Sequence, residues 1–226
     1  MEFRQKQFEQ ATEILKPFTA KKIPLAHWHF VSTLLILWSS LWLSHSFFHT
    51  FSWGLIVSIP ITTMFMCRSY VIEHDCGHGS FYRTEAANSL AGNLMGFGIL
   101  IPYSLWKYIH HSHHLNVGNL DKRSFNPEIW TMTLTEYQQS SIFKQLGYRF
   151  MRSKFTRFTI TPTINLGLMF RFVHPRFNWK ANISVLVHDI LYIVILWKVH
   201  QFMSWKELLV IFYIPLVIFY FVASYT

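Results

Sequence analysis

The stretch that decides the fold is Phe30–Phe48, FVSTLLILWSSLWLSHSFF, which contains no Asp, Glu, Lys or Arg. As an α-helix it would extend about 28 Å, close to the thickness of the hydrocarbon core of a bilayer. Three further stretches, 51–67, 183–199 and 208–225, are also long and apolar. The stretch 51–67 is expected to continue as helix toward His74. The chain is therefore predicted to cross a membrane about four times, beginning with an antiparallel helical hairpin.

The composition agrees with a membrane protein. Of the 226 residues, 51% are hydrophobic and 14% are charged, whereas soluble domains carry roughly 25% charged residues. The net charge of +9 is explained by Lys and Arg collecting in cytoplasmic loops, so no nucleic-acid partner is expected. Two cysteines are too few for a disulfide framework, and no cleavable signal peptide is recognisable, which argues against a secreted mini-protein.

The remaining segments are predicted to lie on or beside the bilayer. Residues 1–28 carry a loosely amphipathic pattern typical of an interfacial helix. The stretch Ala86–Tyr103 is apolar but is interrupted by glycines, asparagines and Pro102, which favours a re-entrant or interfacial segment. Another interfacial segment is expected at Phe158–Val173. No linker divides the chain, so residues 1–226 are interpreted as a single domain.

The polar centre of the sequence, Trp106–Lys180, is predicted to form a helical cap on the cytoplasmic side. Lys and Arg outnumber Asp and Glu from Arg68 to Lys180, while the turn at 46–52 has neither sign. The positive-inside bias therefore assigns the cap to the cytoplasm. The predicted fold class is all-α: a multi-pass membrane protein with about four transmembrane helices, a re-entrant or interfacial segment and this cap.

The first of two histidine clusters is HDCGH at His74–His78. Its two histidines are four residues apart, so on a helix both imidazoles lie on one face and can share a metal ion. The motif lies immediately beyond a membrane segment, at the predicted cytoplasmic end of the helical bundle.

The second cluster is HHSHH at His110–His114. Within it, His110, His113 and His114 form an i, i+3, i+4 set that gathers three nitrogen donors on one helical turn. His111 is out of this register and is expected to be a flanking residue or an additional ligand. The other histidines are expected to be packed or solvated at the interface; they are His27, His29, His45, His49, His174 and His200.

The donor set predicts a metal site but does not by itself name the metal. Neutral imidazole suits zinc, copper, iron and nickel. Five aligned imidazoles exceed the needs of one tetrahedral zinc ion. A site at the membrane surface suits oxidation of a lipid chain, and activation of oxygen requires a redox-active metal, which favours iron.

The motifs and their order resemble those of the membrane-bound fatty acid desaturases, in particular the bacterial and plant acyl-lipid group. The resemblance is carried by HDCGHGSF at His74–Phe81, by Ile101-Pro102-Tyr103 with Trp106, and by His110-x-x-His113-His114 followed by Gly118-Asn119-Leu120-Asp121. It covers about residues 30–226. The two boxes together are specific, whereas either alone would be a weak indication.

The resemblance implies a histidine-held di-iron centre that uses O2 and two electrons from ferredoxin or cytochrome b5. The implied reaction introduces a cis double bond into a fatty acyl chain. By position, His74 and His78 would be ligands from the first box. His110, His113 and His114 would be ligands from the second box, Asp75 would orient an imidazole, and Trp106 would line the substrate site.

The family has a third histidine box after its last membrane helix, and the sequence contains none. Two irons need roughly eight to ten donors in all, and the two boxes offer five, or six with His111. His188, next to Asp189 in the third span, is a further candidate ligand, with a polar contact between helices as the alternative. The expectation is a desaturase that is incomplete at its C-terminus, either an inactive remnant or one half of a split enzyme.

Two other enzyme classes share parts of the pattern. HDCGH has the histidine spacing of the HExxH zinc proteases, but Asp75 is one methylene shorter than the glutamate base and HHSHH would be left unexplained. Hydroxylases, ketolases and epoxidases of the same superfamily carry similar boxes, which define the oxidant and not the product. A gain of one oxygen in the product would distinguish them from a desaturase, which removes two hydrogens.

Overall fold

The computed structural model describes residues 11–15, 21–125 and 131–223. Within these ranges the secondary structure is helical, without strands, as predicted. Four helices are long and apolar enough to cross a membrane. They are α1 (Ile23–Thr50), α2 (Leu55–Gly77), α7 (Trp179–His200) and α8 (Trp205–Ala223).

The predicted spans are confirmed in number and differ at their ends. Helix α1 begins at Ile23, seven residues before the predicted start of the span at Phe30, with a proline in its first turn. Proline is favoured there because the first amides of a helix need no intrahelical acceptor. Helix α2 runs to Gly77, which confirms the predicted extension toward His74. Of the predicted interfacial helix over 1–28, residues 11–15 are helical and 23–28 belong to α1, while 1–10 and 16–20 lie outside the described residues.

Helices α1 and α2 form a hairpin joined by Phe51 and a 3-10 turn, Ser52–Gly54. Small polar side chains link the two helices: Ser44 Oγ donates to Ser58 Oγ at 2.8 Å, and Thr62 Oγ1 donates to Ser40 Oγ at 2.9 Å. Small hydroxyl residues let membrane helices approach closely and bond to each other. The hairpin is therefore held by polar contacts inside an otherwise apolar bundle.

The segment between α2 and the second histidine cluster is helical and short. Helix α3 (Glu85–Gly98) is 14 residues long, about 21 Å, which is too short to span a bilayer. This agrees with the predicted non-spanning segment. Leu100 then adopts φ of +58°, and the chain turns through Pro102 into α4 (Tyr103–Asn116).

The predicted cap is built from short helical elements. They are a 3-10 segment Leu120–Phe125, α5 (Leu134–Gln138), α6 (Ile142–Arg152), π-helical turns Thr156–Ile160 and Thr163–Leu168, and a 3-10 turn Met169–Arg171. The main apolar core joins α2, α4, α7 and α8, and includes Met66, Leu105, Val185 and Phe219. This core fixes the ends of α2 and α4, where the histidine clusters lie.

Candidate metal centre

The first histidine pair is placed by the C-terminus of α2. The backbone N–H of His78 donates to the carbonyl oxygen of His74 at 3.1 Å, so His78 keeps the helical register although α2 ends at Gly77. The two imidazole rings are 4.6 Å apart. Gly79 then takes φ of +66°, a conformation that glycine adopts without strain and that commonly ends helices.

The second cluster lies on the last turns of α4. The rings of His110 and His114 are 4.5 Å apart, and those of His110 and His113 are 6.3 Å apart and nearly parallel. Helix α4 is attached to α2 by Tyr103, whose hydroxyl donates to the carbonyl oxygen of Cys76 at 3.0 Å. This contact ties the first turn of α4 to the C-terminal turn of α2, which carries the first histidine pair.

Four imidazoles from the two helices converge on one small volume. His110 Nε2 is 3.0 Å from the Nε2 atom of His78 and 3.0 Å from that of His114. The ring of His74 is 4.8 Å from that of His110. One nitrogen from each of His74, His78 and His110 lies within 4.8 Å of the others. The predicted convergence of the two boxes is thus present in the structure.

The electrostatics of the cluster favour neutral imidazoles. Burial, together with the neighbouring histidines, lowers the pKa of His110 to about 4. The pKa of His78 is lowered for the same reasons. A neutral ring offers a lone pair, which is the form that binds metals. Several neutral imidazoles directed at one volume therefore fit iron or another transition metal.

Trp106 packs against the histidine cluster. Its side chain is 3% exposed, stacks on His110 at 4.5 Å with an interplanar angle of 16°, and meets the ring of Tyr70 edge-on. Gly77 leaves the space for it, because a Cβ at that position would lie 2.6 Å from Trp106 Cζ3. The tryptophan therefore fixes the orientation of one candidate ligand through direct ring contact.

Gly77→Ala is expected to weaken iron binding by about 10-fold, because the added methyl displaces the indole that orients His110. Iron affinity of the purified protein measures this. Gly147→Ala is the matched control, since Gly147 has open space around it and alanine at a helical position is otherwise stabilising. Equal iron affinity in the two variants would contradict this role for Trp106.

A groove leads from the histidines along the bundle. Its volume is about 540 Å³. Val71 and Val222, at its rim, are exposed residues of membrane-spanning helices, so the groove is accessible from the lipid side. The lining is mainly apolar and includes His74, His110 and His113; the other residues are Cys67, Tyr70, Val71, Trp106, Ile109, Leu166, Phe219, Val222 and Ala223.

Predicted site residues that lie outside the tightest group of possible ligand atoms include His113, Asp75 and His111. His113 lies on the groove and stacks on His110 without belonging to the tightest set. Asp75 is half-exposed, and its Oδ1 atom is 3.5 Å from His74 Nδ1, a long contact for the predicted orienting role. His111 is exposed and makes no ring contact with another histidine in the described part of the chain.

His188 is placed away from the two boxes. Its Nδ1 atom is 2.9 Å from Nη1 of Arg171, which also donates to Asp189 at 2.6 Å. A guanidinium beside an imidazole competes with a metal cation for the same nitrogen. These contacts favour the alternative role, a polar contact between helices, although the partner is an arginine and not the predicted asparagine or carbonyl.

Tyr70 and Gly77 also form part of the site and were not predicted from the sequence. Tyr70 is one helical turn before His74, and its position on the same helical face was a usable signal. Two long-range hydrogen bonds of Lys21 could not be predicted from the sequence. Its Nζ atom donates to the carbonyl oxygens of Gly79 at 2.6 Å and Tyr82 at 2.8 Å. These hydrogen bonds anchor the loop that follows the first box.

Comparisons with known proteins agree with the geometry. The fatty acid desaturase family profile matches residues 51–226. A fatty acid desaturase of Bacillus subtilis (strain 168) is 29% identical over 67% of this chain and 43% of its own length. An sn-1 acyl-lipid omega-3 desaturase (ferredoxin) of Nostoc sp. (strain 36) is 38% identical over 34% of this chain and 21% of its own.

A chloroplastic omega-3 fatty acid desaturase of Ricinus communis is 35% identical over 50% of this chain and 20% of its own length. The chain therefore spans less than half the length of these curated relatives. The family match nevertheless covers more than half of the chain and includes both histidine boxes and all of α2, α4, α7 and α8. On this evidence the chain belongs to the fatty acid desaturase family.

Proposed function

We propose that the chain forms the membrane body and the two-box metal centre of an acyl-lipid desaturase, an oxidoreductase that introduces a cis double bond into a fatty acyl chain. The observation that carries the proposal is the position of the converging histidines against an apolar groove accessible from the lipid. A lipid chain entering from the bilayer can reach the histidines without crossing water.

His74, His78, His110 and His114 would hold iron, with His113 beside them. When bound, the di-iron centre supplies an O2-dependent oxidation in which one CH2–CH2 unit becomes CH=CH while O2, two electrons and two protons become two water molecules. The two electrons would come from a ferredoxin-type donor or cytochrome b5, and two relatives matched by the chain are named as ferredoxin enzymes.

The chain's own residues would bind and orient the acyl chain. The groove walls of Ile109, Leu166 and Phe219 offer methylene groups an apolar contact and exclude water. Tyr70 and Trp106 form the part of the wall next to His74 and His110. Their rigid rings would limit how far the chain can shift relative to the metal ligands.

The described residues supply about half of the donors that two irons need. Four imidazoles converge, and His113 is a fifth, against roughly eight to ten donors for a di-iron site. Full di-iron occupancy under this proposal uses donors beyond those that the described residues bring together. The excess of Lys and Arg at this end of the bundle supports a cytoplasmic position for the centre.

Expression in a host that lacks the unsaturated product tests the proposal, with mass spectrometry of the total fatty acids. The expected product has lost two hydrogens. A product that has gained one oxygen would instead select the hydroxylase or epoxidase alternative. Iron bound at the boxes without any new product would select the inactive remnant or the half of a split enzyme.

Val71→Trp is expected to lower product formation by at least about 10-fold, because the indole fills the mouth of the groove and excludes the acyl chain. Val57→Trp is the matched control, since Val57 is an equally exposed valine of α2 that does not line the groove. Iron content should stay unchanged in both variants. Equal product from the two would contradict the assignment of the groove as the acyl site.

A further inference from the structure

A second group of metal-ligating side chains lies at the opposite end of the bundle from the histidine boxes. His45 and His49 are on the last two turns of α1, and Glu207 is in the first turn of α8. Helix α2 runs from this end to the boxes, and the rise from Leu55 to His74 alone is about 29 Å. The group is thus separate from the centre described above.

The three side chains face one another closely. Oε1 of Glu207 is in contact with Nδ1 of His45 and is 3.1 Å from Nε2 of His49. The two imidazole rings are 5.0 Å apart and edge-on. One ligand atom from each residue lies within 4.8 Å of the other two. Ligand atoms about 2.0–2.1 Å from one tetrahedral zinc ion lie about 3.3 Å apart, which the separation at His49 already matches.

The carboxylate of Glu207 contacts these histidines and does not cap the N-terminus of its own helix. The sequence Ser204-x-x-Glu207 is a capping-box pattern, and Ser204 Oγ does accept from the backbone N–H of Glu207 at 3.2 Å. In α5 the equivalent Glu136 closes the box by accepting from Thr133 N–H at 2.7 Å. Among the described contacts, Glu207 makes no such return bond and faces His45 and His49 instead.

Burial and access also suit a bound cation. The side chain of Glu207 is 1% exposed, while those of His45 and His49 are 32% and 55% exposed. A buried carboxylate requires a counter-charge or several hydrogen bonds. The exposed imidazoles leave an open side for entry of an ion and for a water ligand. The carbonyls at the C-terminus of α1 add a partial negative charge that favours a cation.

We propose that His45, His49 and Glu207 form a second metal site, for a tetrahedral divalent ion such as Zn²⁺, that clips α1 to α8 at the hairpin end of the bundle. Two histidines one turn apart plus a carboxylate, with water in the fourth position, are a recurrent zinc ligand set. The site does not depend on the proposed desaturase function, because it uses none of the groups of the boxes or the groove.

The test uses the full chain, purified in detergent, with the first site disabled by His78→Ala and His110→Ala and all metal removed. Titration with Zn²⁺ against a chromophoric chelator should give about one ion per chain. Adding His49→Ala should weaken this binding by about 100-fold or more, and Co²⁺ should show the visible bands of a tetrahedral site only when His49 is present. Zn²⁺ should raise the midpoint of thermal unfolding of the parent but not of the His49→Ala variant.

His200→Ala is the matched control, since His200 is at the same end but stacks on Trp205 and contacts the carbonyl oxygen of Met203. It should bind Zn²⁺ like the parent. Glu207→Gln should also weaken binding; if it does not fold, the substitution of the exposed His49 still decides the question. Absence of Zn²⁺ binding in the parent, or equal binding in the parent and His49→Ala, would overturn the proposal.

Discussion

His110→Ala is expected to lower the iron affinity of the box site by more than about 100-fold and to abolish product formation. His110 is the member that joins the two boxes, because its Nε2 atom is 3.0 Å from the Nε2 atoms of both His78 and His114. Removing it leaves the contact between the rings of His78 and His114, 5.0 Å apart, as the link between the two boxes among the described contacts. Iron content by elemental analysis, before and after competition with a chelator, measures the loss.

His111→Ala provides the matched comparison for this variant. His111 is the next residue on α4 and is exposed, so its removal tests the chemistry of the cluster against a general loss of histidine from the helix. It should lower iron affinity by less than about 10-fold. A loss in His111→Ala equal to that in His110→Ala would contradict the assignment of ligands.

Arg171→Leu is expected to destabilise the fold by about 3 kcal/mol, because it removes one partner of a largely buried charge cluster. Arg171 donates to Asp189 Oδ1 and to the carbonyl oxygen of Leu100, and contacts His188. Leu100 is the left-handed residue at the turn into α4. The arginine therefore holds the turn that positions the second box.

The midpoint of thermal unfolding in detergent measures this effect, and a loss of about 6–12 °C is expected for a chain of this size. Arg171→Lys should recover only part of the loss, since one ammonium cannot reproduce the fork of a guanidinium. The double variant Arg171→Leu/Asp189→Leu should be more stable than Arg171→Leu alone, because it no longer leaves a carboxylate unpaired. An unchanged midpoint in Arg171→Leu would contradict the structural role of the cluster.

The membrane architecture was predictable because it depends on local properties. The absence of charge over Phe30–Phe48 and over 51–67 identified the first two spans. The start of α1 at Ile23 was missed because residues 23–28 fall within the predicted interfacial helix over 1–28, although residues 23–29 carry no Asp, Glu, Lys or Arg.

The box histidines were predictable for the same reason, since the i, i+3 and i+4 spacings define one helical face. The spacing does not determine how far each histidine lies from the middle of the imidazole cluster. That distance depends on how α4 is oriented about its own axis relative to α2. That rotation sets His110 in the middle and His113 to one side. It is fixed by contacts such as Tyr103 to Cys76, which join residues far apart in sequence.

Long-range polar partners lay beyond sequence reasoning altogether. His188 was a candidate ligand because it is an ionisable residue in a membrane span, yet its partner Arg171 comes from the 3-10 turn Met169–Arg171 of the cap. Glu207 meets His45 and His49 across more than 150 residues of sequence. Both pairings follow from the packing of helices α1, α7 and α8 and carry no local signal.

The assignment of the box histidines as iron ligands is tested by the position of iron in the folded chain, measured as anomalous scattering at the iron edge from iron-loaded crystals. We predict a peak within coordination distance of ring nitrogens of His74, His78 and His110, at the end of the apolar groove beside Trp106. An iron peak elsewhere in the bundle, or no peak in protein exposed to ferrous iron, would contradict it.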